Sequence, residues 1–233
     1  MREVFDFSRS SHAVLALVLE LVLGAGVIVG SLFLFLKLGG EILEKETIVF
    51  DSSIAHFITS FRSPQMTEVM MTISFLGGAY FLTGAIIVTI LLLWRLHKKD
   101  AIMFGFVFIS GVGLNILLKE IFQRSRPLYA LIVESEYSFP SGHSMNSTVF
   151  YAALTYFVFW HMKHKKLGVF FSFLAAILVG AIGVSRIYLG VHYPSDVLAG
   201  FLAGLCWLGV VILVEKTLLF FRLFRKFESE KEY

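Results

Sequence analysis

The sequence predicts an all-α, polytopic membrane protein: a bundle of six transmembrane helices with a short interfacial amphipathic helix. Three observations carry that expectation. Of 233 residues 57% are hydrophobic, and mean hydropathy is +0.80. Soluble domains run at roughly 45–50% apolar, so the excess must face something other than water. Charged residues make up only 16% of the chain and cluster between apolar runs. The runs themselves reach the roughly 20 mostly apolar residues that a spanning helix needs.

The first predicted span covers residues 13–36. It is too long for a signal-peptide core and shows no small-residue cleavage site, so it is read as an uncleaved span. Gly24, Gly26 and Gly30 within it, and Gly200 and Gly204 near the other end of the chain, read as close-packing positions. Glu20 is an intramembrane carboxylate near a helix end, expected to reach water or to pair with a basic residue. Next, "DSSIAHFITSFR" sets Ile54, Phe57, Ile58 and Phe61 at helical spacing, with Asp51 or Ser52 available as N-cap. This predicts the short amphipathic helix, lying at the interface or packed on the bundle. The remaining spans are 67–94, 101–122, 144–162, 168–188 and 195–220. A polar segment from Gln123 to His143 separates the third and fourth spans, and "YLGVHYP" joins the fifth and sixth. With no internal repeat, residues 1–233 are expected to form a single domain that ends in a tail at about 221–233.

Lys and Arg set the orientation. With six spans, Arg2, Arg9, Arg95, Lys98, Lys99, Lys163, Lys165, Lys166, Arg222, Arg225, Lys226 and Lys231 share one side, which is assigned to the cytoplasm together with both termini. Lys37, Lys45, Arg62, Lys119, Arg124, Arg126 and Arg186 fall on the outer side of what is expected to be a plasma membrane. That outer side is not poor in positive charge, which suggests that some of these cations bind an anion. A net charge of +3 without a basic stripe excludes a nucleic-acid partner. Cys206, the only cysteine, cannot form a disulfide within the chain and reads as a packed thiol.

Three polar clusters then converge at one membrane depth on the outer side. "KEIFQRSRP" supplies Lys119 and Arg126, "PSGH" supplies Ser141, Gly142 and His143, and "SRIYLGVHYPSD" supplies Ser185, Arg186, His192 and Asp196. Lys119, Arg126 and Arg186 have no comparable carboxylate cluster beside them; Glu120, Glu134 and Glu136 are the only acids in the third-to-fourth segment. Unpaired cations beside a bilayer are costly unless an anion joins them, and arginine's fork suits phosphate oxygens. Taken singly, each cation could equally be a headgroup anchor or a snorkelling side chain. Pro194 and Ser195 suit a helix start, which places Asp196 in a first turn. From there its carboxylate can hold one nitrogen of His192 as N–H and leave the other free as a nucleophile. Ser141 can cap the fourth helix, Gly142 permits close backbone approach, and His143 can donate a proton to a departing oxygen. Two histidines and one aspartate are too few for a zinc site among so many cations, and no P-loop occurs, so no metal or other cofactor is expected.

The strings K-x₆-R-P (119–127), P-S-G-H (140–143) and S-R-x₅-H-x₃-D (185–196) match, in order and spacing, the three signature motifs of the type 2 phosphatidic acid phosphatase superfamily, which the chain therefore resembles. The resemblance implies a metal-independent lipid phosphatase with a phosphohistidine intermediate. It casts His192 as nucleophile, Asp196 as its orienting partner and His143 as the proton donor. Lys119, Arg126, Ser141, Gly142 and Arg186 would bind phosphoryl oxygens, with Ser185 a motif member of less defined contact. The implied substrates are lipid phosphates or diphosphates, of the undecaprenyl diphosphate, phosphatidylglycerophosphate or phosphatidate class, reached among membrane lipids and without an obligatory protein partner. Two rivals share parts of this pattern: a vanadate-dependent haloperoxidase, and a non-catalytic protein that binds or transports lipid phosphates. Six spans oppose the first, and an intact His143, His192 and Asp196 oppose the second.

Overall fold

The computed structural model describes residues 11–162 and 164–231, with side chains described for 19–159, 161–162 and 164–218. Arg2, Arg9 and Lys163, and the side chains of Arg222, Arg225, Lys226 and Lys231 in the tail, lie outside the described residues. Every described element is a helix: α1 (Ser11–Leu43), α2 (Ile48–Thr59), α3 (Pro64–Phe75), α4 (Ala79–Leu96), α5 (Lys98–Phe122), α6 (Gly142–His161), α7 (Lys165–Tyr188) and α8 (Pro194–Lys231).

Among the described residues, five segments are long and apolar enough to cross a bilayer: Leu19–Leu43, Pro64–Leu96, Lys98–Phe122, Lys165–Tyr188 and Pro194–Leu218. The sixth expected span, 144–162, is α6, whose 20 residues measure about 30 Å. It is the most polar of the set for a physical reason. No residue from Gly142 to Phe159 is exposed, because α4, α5, α7 and α8 all pack on it. A helix wrapped by other helices has no lipid-facing stripe to keep apolar.

The second span is not the single helix 67–94 that the sequence suggested. Ser63 caps its start by accepting from the Met66 N–H, and Pro64 takes the first helical position. The chain then breaks at Gly77–Gly78 between α3 and α4. A Cβ on Gly77 would come within 2.5 Å of Ile182 Cγ2, so only glycine lets this turn approach α7 so closely.

The glycine readings divide. Gly200 and Gly204 bring α8 onto α6: a Cβ on them would lie 2.8 Å from the Ser141 carbonyl and 2.8 Å from Thr148 Cβ, respectively. Gly24, Gly26 and Gly30 meet nothing within 4 Å and do not close-pack within the described residues. Glu20 pairs with Lys216 of α8.

The short helix is present, but it starts earlier than expected. Its N-cap is Thr47, not Asp51 or Ser52. It packs on α7 and α8 through Asp51 and Ala55, while Phe57 and Phe61 stay exposed on its other side. Asp51 therefore points inward, which the apolar pattern did not suggest.

Candidate active site

The ends of α5 and α7 and the beginnings of α6 and α8 meet at one end of the bundle, so the three sequence clusters converge as expected. Local backbone chemistry sets them there. Gln123 stops α5 with φ of 45°, a left-handed cap whose N–H bonds back to the Lys119 carbonyl. The Ser138 N–H bonds the Arg124 carbonyl at 2.8 Å, pinning both ends of the connecting segment. Ser141 caps α6, its hydroxyl accepting from the Ser144 N–H, and its own N–H donates to the Asp196 carbonyl at 3.0 Å. α6 and α8 thus begin side by side.

His192 is 1% exposed. Its Nδ1 lies 3.5 Å from Asp196 Oδ2 and 3.3 Å from Ser138 Oγ. Its Nε2 lies 3.2 Å from an Arg126 nitrogen that also donates to the Val191 carbonyl. Burial pushes the His192 pKa down to about 4, against the hydrogen bond the ring donates to Asp196, so the ring is neutral at pH 7. Asp196 is fully buried: Oδ2 accepts from Ser138 Oγ at 2.5 Å and from the Tyr193 N–H at 2.9 Å, and Oδ1 accepts from Arg124 at 2.5 Å. His143 stands against the Gly77–Gly78 turn, where a Cβ on Gly78 would come within 3.5 Å of its Nε2.

The cations gather around these histidines. Arg186, 1% exposed, donates to Ser74 Oγ at 2.6 Å and pairs with Glu134, while its buried Nε–H has no hydrogen-bond partner. Arg126 also pairs with Glu134, at 2.8 Å, and Lys119 pairs with Glu136 at 3.0 Å. The sequence reading of these cations as unpaired is corrected here: carboxylates of the α5–α6 segment reach all three. Burial opposes ionisation of Glu134, but Arg186 and then Arg126 outweigh it and hold its pKa at about 2. Either His192 or His143, once protonated, would favour the Glu134 carboxylate further, so Glu134 lies near both imidazoles as well as the two arginines.

Gly142 is tight, with a Cβ there coming 3.0 Å from Asn115 Oδ1. Ser185 is not brought to this cluster; its buried hydroxyl donates to the Ile182 carbonyl within α7. Among the described residues no group of three or more His, Cys, Asp or Glu is placed to hold a metal ion.

Sequence reasoning missed Ser138, Ser74, Arg124 and Asp51. Arg124 had been counted only as an outer cation. The phase of Asp51 with Ala55 on α2 was the one available signal, and the phenylalanines on the other side of the helix obscured it.

Known proteins place this architecture. Residues 100–219 match the family model described as the PAP2 superfamily. The chain is 40% identical over 182 residues to phosphatidylglycerophosphatase B of Bacillus subtilis (strain 168), covering 75% of this chain and 88% of that protein. It is 28% identical over 195 residues to an undecaprenyl-diphosphatase of Sulfolobus acidocaldarius, covering 80% and 87%. The crystal structure of a transmembrane PAP2-type phosphatidylglycerolphosphate phosphatase from Bacillus subtilis superposes with a TM-score of 0.77 at 34% identity, over 82% of this chain and 96% of that one. Motifs, helical bundle and relatives agree: this chain belongs to the PAP2 superfamily.

Proposed function

We propose that this protein is a metal-independent membrane lipid phosphatase, acting on phosphomonoester or diphosphate groups of lipids through a phosphohistidine intermediate. One observation carries the reading. A neutral, buried His192 is held by Asp196 on its Nδ1 side and presents Nε2 toward Arg126, beside an Arg186 whose Nε–H is unpartnered.

In this reading Nε2 of His192 attacks phosphorus, forming a P–N bond as the P–O bond to the lipid breaks. Asp196 stabilises the positive charge that develops on the ring. His143 gives its proton to the departing oxygen; a dianionic phosphoryl group beside it favours the protonated ring. Water then attacks phosphorus with His143 as base, the P–N bond breaks, and inorganic phosphate leaves. Lys119, Arg126 and Arg186, with the Gly142 N–H and the Ser141-capped start of α6, hold the equatorial oxygens where charge accumulates. The phosphoryl group would replace Glu134 on the two arginines, exchanging one anion for another. Ser185 supports the helix end that carries Arg186.

Two of the relatives are named phosphatidylglycerophosphatase and undecaprenyl-diphosphatase. These names support phosphatidylglycerophosphate or undecaprenyl diphosphate as substrate, and phosphatidate presents the same phosphoryl chemistry. The site would face the extracytoplasmic side, with both termini in the cytoplasm and the chain forming one such domain. The reading needs no cofactor and no protein partner.

The test is phosphate release from detergent-solubilised protein across a panel of lipid phosphates and diphosphates, ranked by kcat/KM. His192→Ala is expected to abolish release, vanadate to inhibit and EDTA to have little effect. Full activity in His192→Ala would sink the nucleophile assignment, and a magnesium-reversible loss with EDTA would sink the metal-free mechanism.

A further inference from the structure

We propose that Arg124, anchored by Asp51 of α2, is a positioning residue that holds Asp196, and through it His192, in the reactive orientation. The proposal rests on the phosphatase reading above. It does not follow from the signature motifs, because Arg124 occupies an unspecified position within K-x₆-R-P and Asp51 lies before residue 100, where the family match begins.

The argument starts at Asp196. A fully buried carboxylate must be satisfied at both oxygens or it is severely destabilising. Oδ2 is occupied by Ser138, the Tyr193 N–H and His192. Oδ1 accepts from Arg124, and that contact, at 2.5 Å, stops the carboxylate from rotating away from His192. Arg124 is itself fixed on several sides. Its second terminal nitrogen donates to Asp51 Oδ2 at 2.7 Å, and its guanidinium plane lies 4.2 Å from the centre of the Tyr193 ring. Ser195 closes a four-residue ring: its hydroxyl accepts from Arg124 and donates to Asp51, both at 2.7 Å, and its N–H donates to Asp51 Oδ1 at 2.8 Å.

Geometry separates this arginine from the phosphate-binding ones. Arg126 stands on the Nε2 side of His192, where phosphorus would be attacked. Arg124 sits on the Nδ1 side, behind Asp196, and both its terminal nitrogens are taken by carboxylates. Losing Arg124 should therefore slow turnover without weakening phosphate binding. One further feature makes this testable. A cavity of about 230 Å³, lined by Asp51, Ser52, Arg124, Ser125, Tyr129 and Tyr193 among others, adjoins the Arg124 side chain and is partly open. A guanidinium ion could enter it.

The experiment measures kcat, KM and inhibition by inorganic phosphate for the purified full-length protein on the lipid phosphate that the panel identifies. Arg124→Met and Asp51→Asn are each expected to lower kcat, Arg124→Met by on the order of 10²-fold, as a misplacement near 1 Å can. KM and the inhibition constant of inorganic phosphate, a tetrahedral ground-state anion, should stay within about threefold, because ground-state binding is untouched. The double variant should be no worse than Arg124→Met alone, since Asp51 acts through Arg124. Arg124→Lys keeps the charge without the fork and should recover part of the loss. Millimolar guanidinium should restore activity to Arg124→Ala, and tetramethylammonium, which has no N–H donors, should not.

Unchanged kcat in Arg124→Met overturns the proposal. A raised KM and weaker inhibition by inorganic phosphate with kcat intact also overturn it, making Arg124 a phosphate ligand. Losses that multiply in the double variant, or an Arg124→Ala protein that guanidinium does not rescue, would reduce the cluster to a structural support. A wild-type protein that releases no phosphate from any substrate in the panel would fail differently, overturning the phosphatase reading and this proposal with it.

Discussion

His192 combines near-complete burial with the nucleophile's role proposed for it, and the two requirements agree. Burial disfavours the imidazolium and lowers the pKa from the ordinary 6.5 to about 4, although Asp196 pulls the other way. The ring thus keeps a lone pair at neutral pH. The same shift links stability to pH. Between 6.5 and about 4 the unfolded chain takes up a proton at this position and the folded chain does not, so stability is full above 6.5 and declines as pH falls through that window. The Tm of detergent-solubilised protein should drop between pH 7 and 5, and His192→Gln should flatten that drop; equal slopes would assign the titration to another group. Glu134 titrates below this window. Burial works against its carboxylate, Arg186 and Arg126 prevail, and the stability it contributes is present above 4.5 and lost only as pH falls toward about 2.

Among the elements, the α5–α6 segment and α6 itself decide how the site works. The segment carries Arg126 near its start and, farther on, its partner Glu134 and also Glu136, which pairs with Lys119 of α5. Since Glu134 lies on the two arginines that would take phosphoryl oxygens, it competes with any bound anion. Glu134→Gln is expected to lower the vanadate concentration for half inhibition by about tenfold, on the order of one charge-assisted hydrogen bond. Weaker inhibition would mean that the carboxylate organises the arginines instead of competing. The polarity of α6 comes from its place in the bundle. Ser144, Ser147 and Thr148 are buried and bond carbonyls one turn back or the Ser141 hydroxyl, so they need no water inside a membrane protein. Half of the candidate site was legible at this scale. His143, His192, Asp196 and the motif cations stood at fixed spacings, whereas the contacts Glu134–Arg186, Ser74–Arg186 and Asp51–Ser195 join positions 52 to 144 apart.

For the molecule as a whole, the bundle puts the four helix ends of the site on one face, and the proposed topology has that face outside. Leu128 in the α5–α6 segment is fully exposed. In a Cys206→Ala background, Leu128→Cys should react with a membrane-impermeant thiol reagent added to intact cells; labelling only after permeabilisation would invert the topology. Ser138 would be a poor reporter, because it is buried against Asp196.

Local chemistry along the chain was enough to determine the membrane class, the apolar spans, the helix starts at Ser141 and Pro194, and the spacing of the motif residues proposed to do phosphoryl chemistry. Apolar length, capping and motif spacing are all short-range properties. Tertiary structure alone decided which charges meet. It placed Glu134 between Arg126 and Arg186, turned Asp51 inward, closed the Arg124–Ser195 ring behind Asp196, and turned Gly24, Gly26 and Gly30 away from the bundle. The reason is that pairing of buried charges depends on where helices cross, and a sequence read one segment at a time contains no crossing.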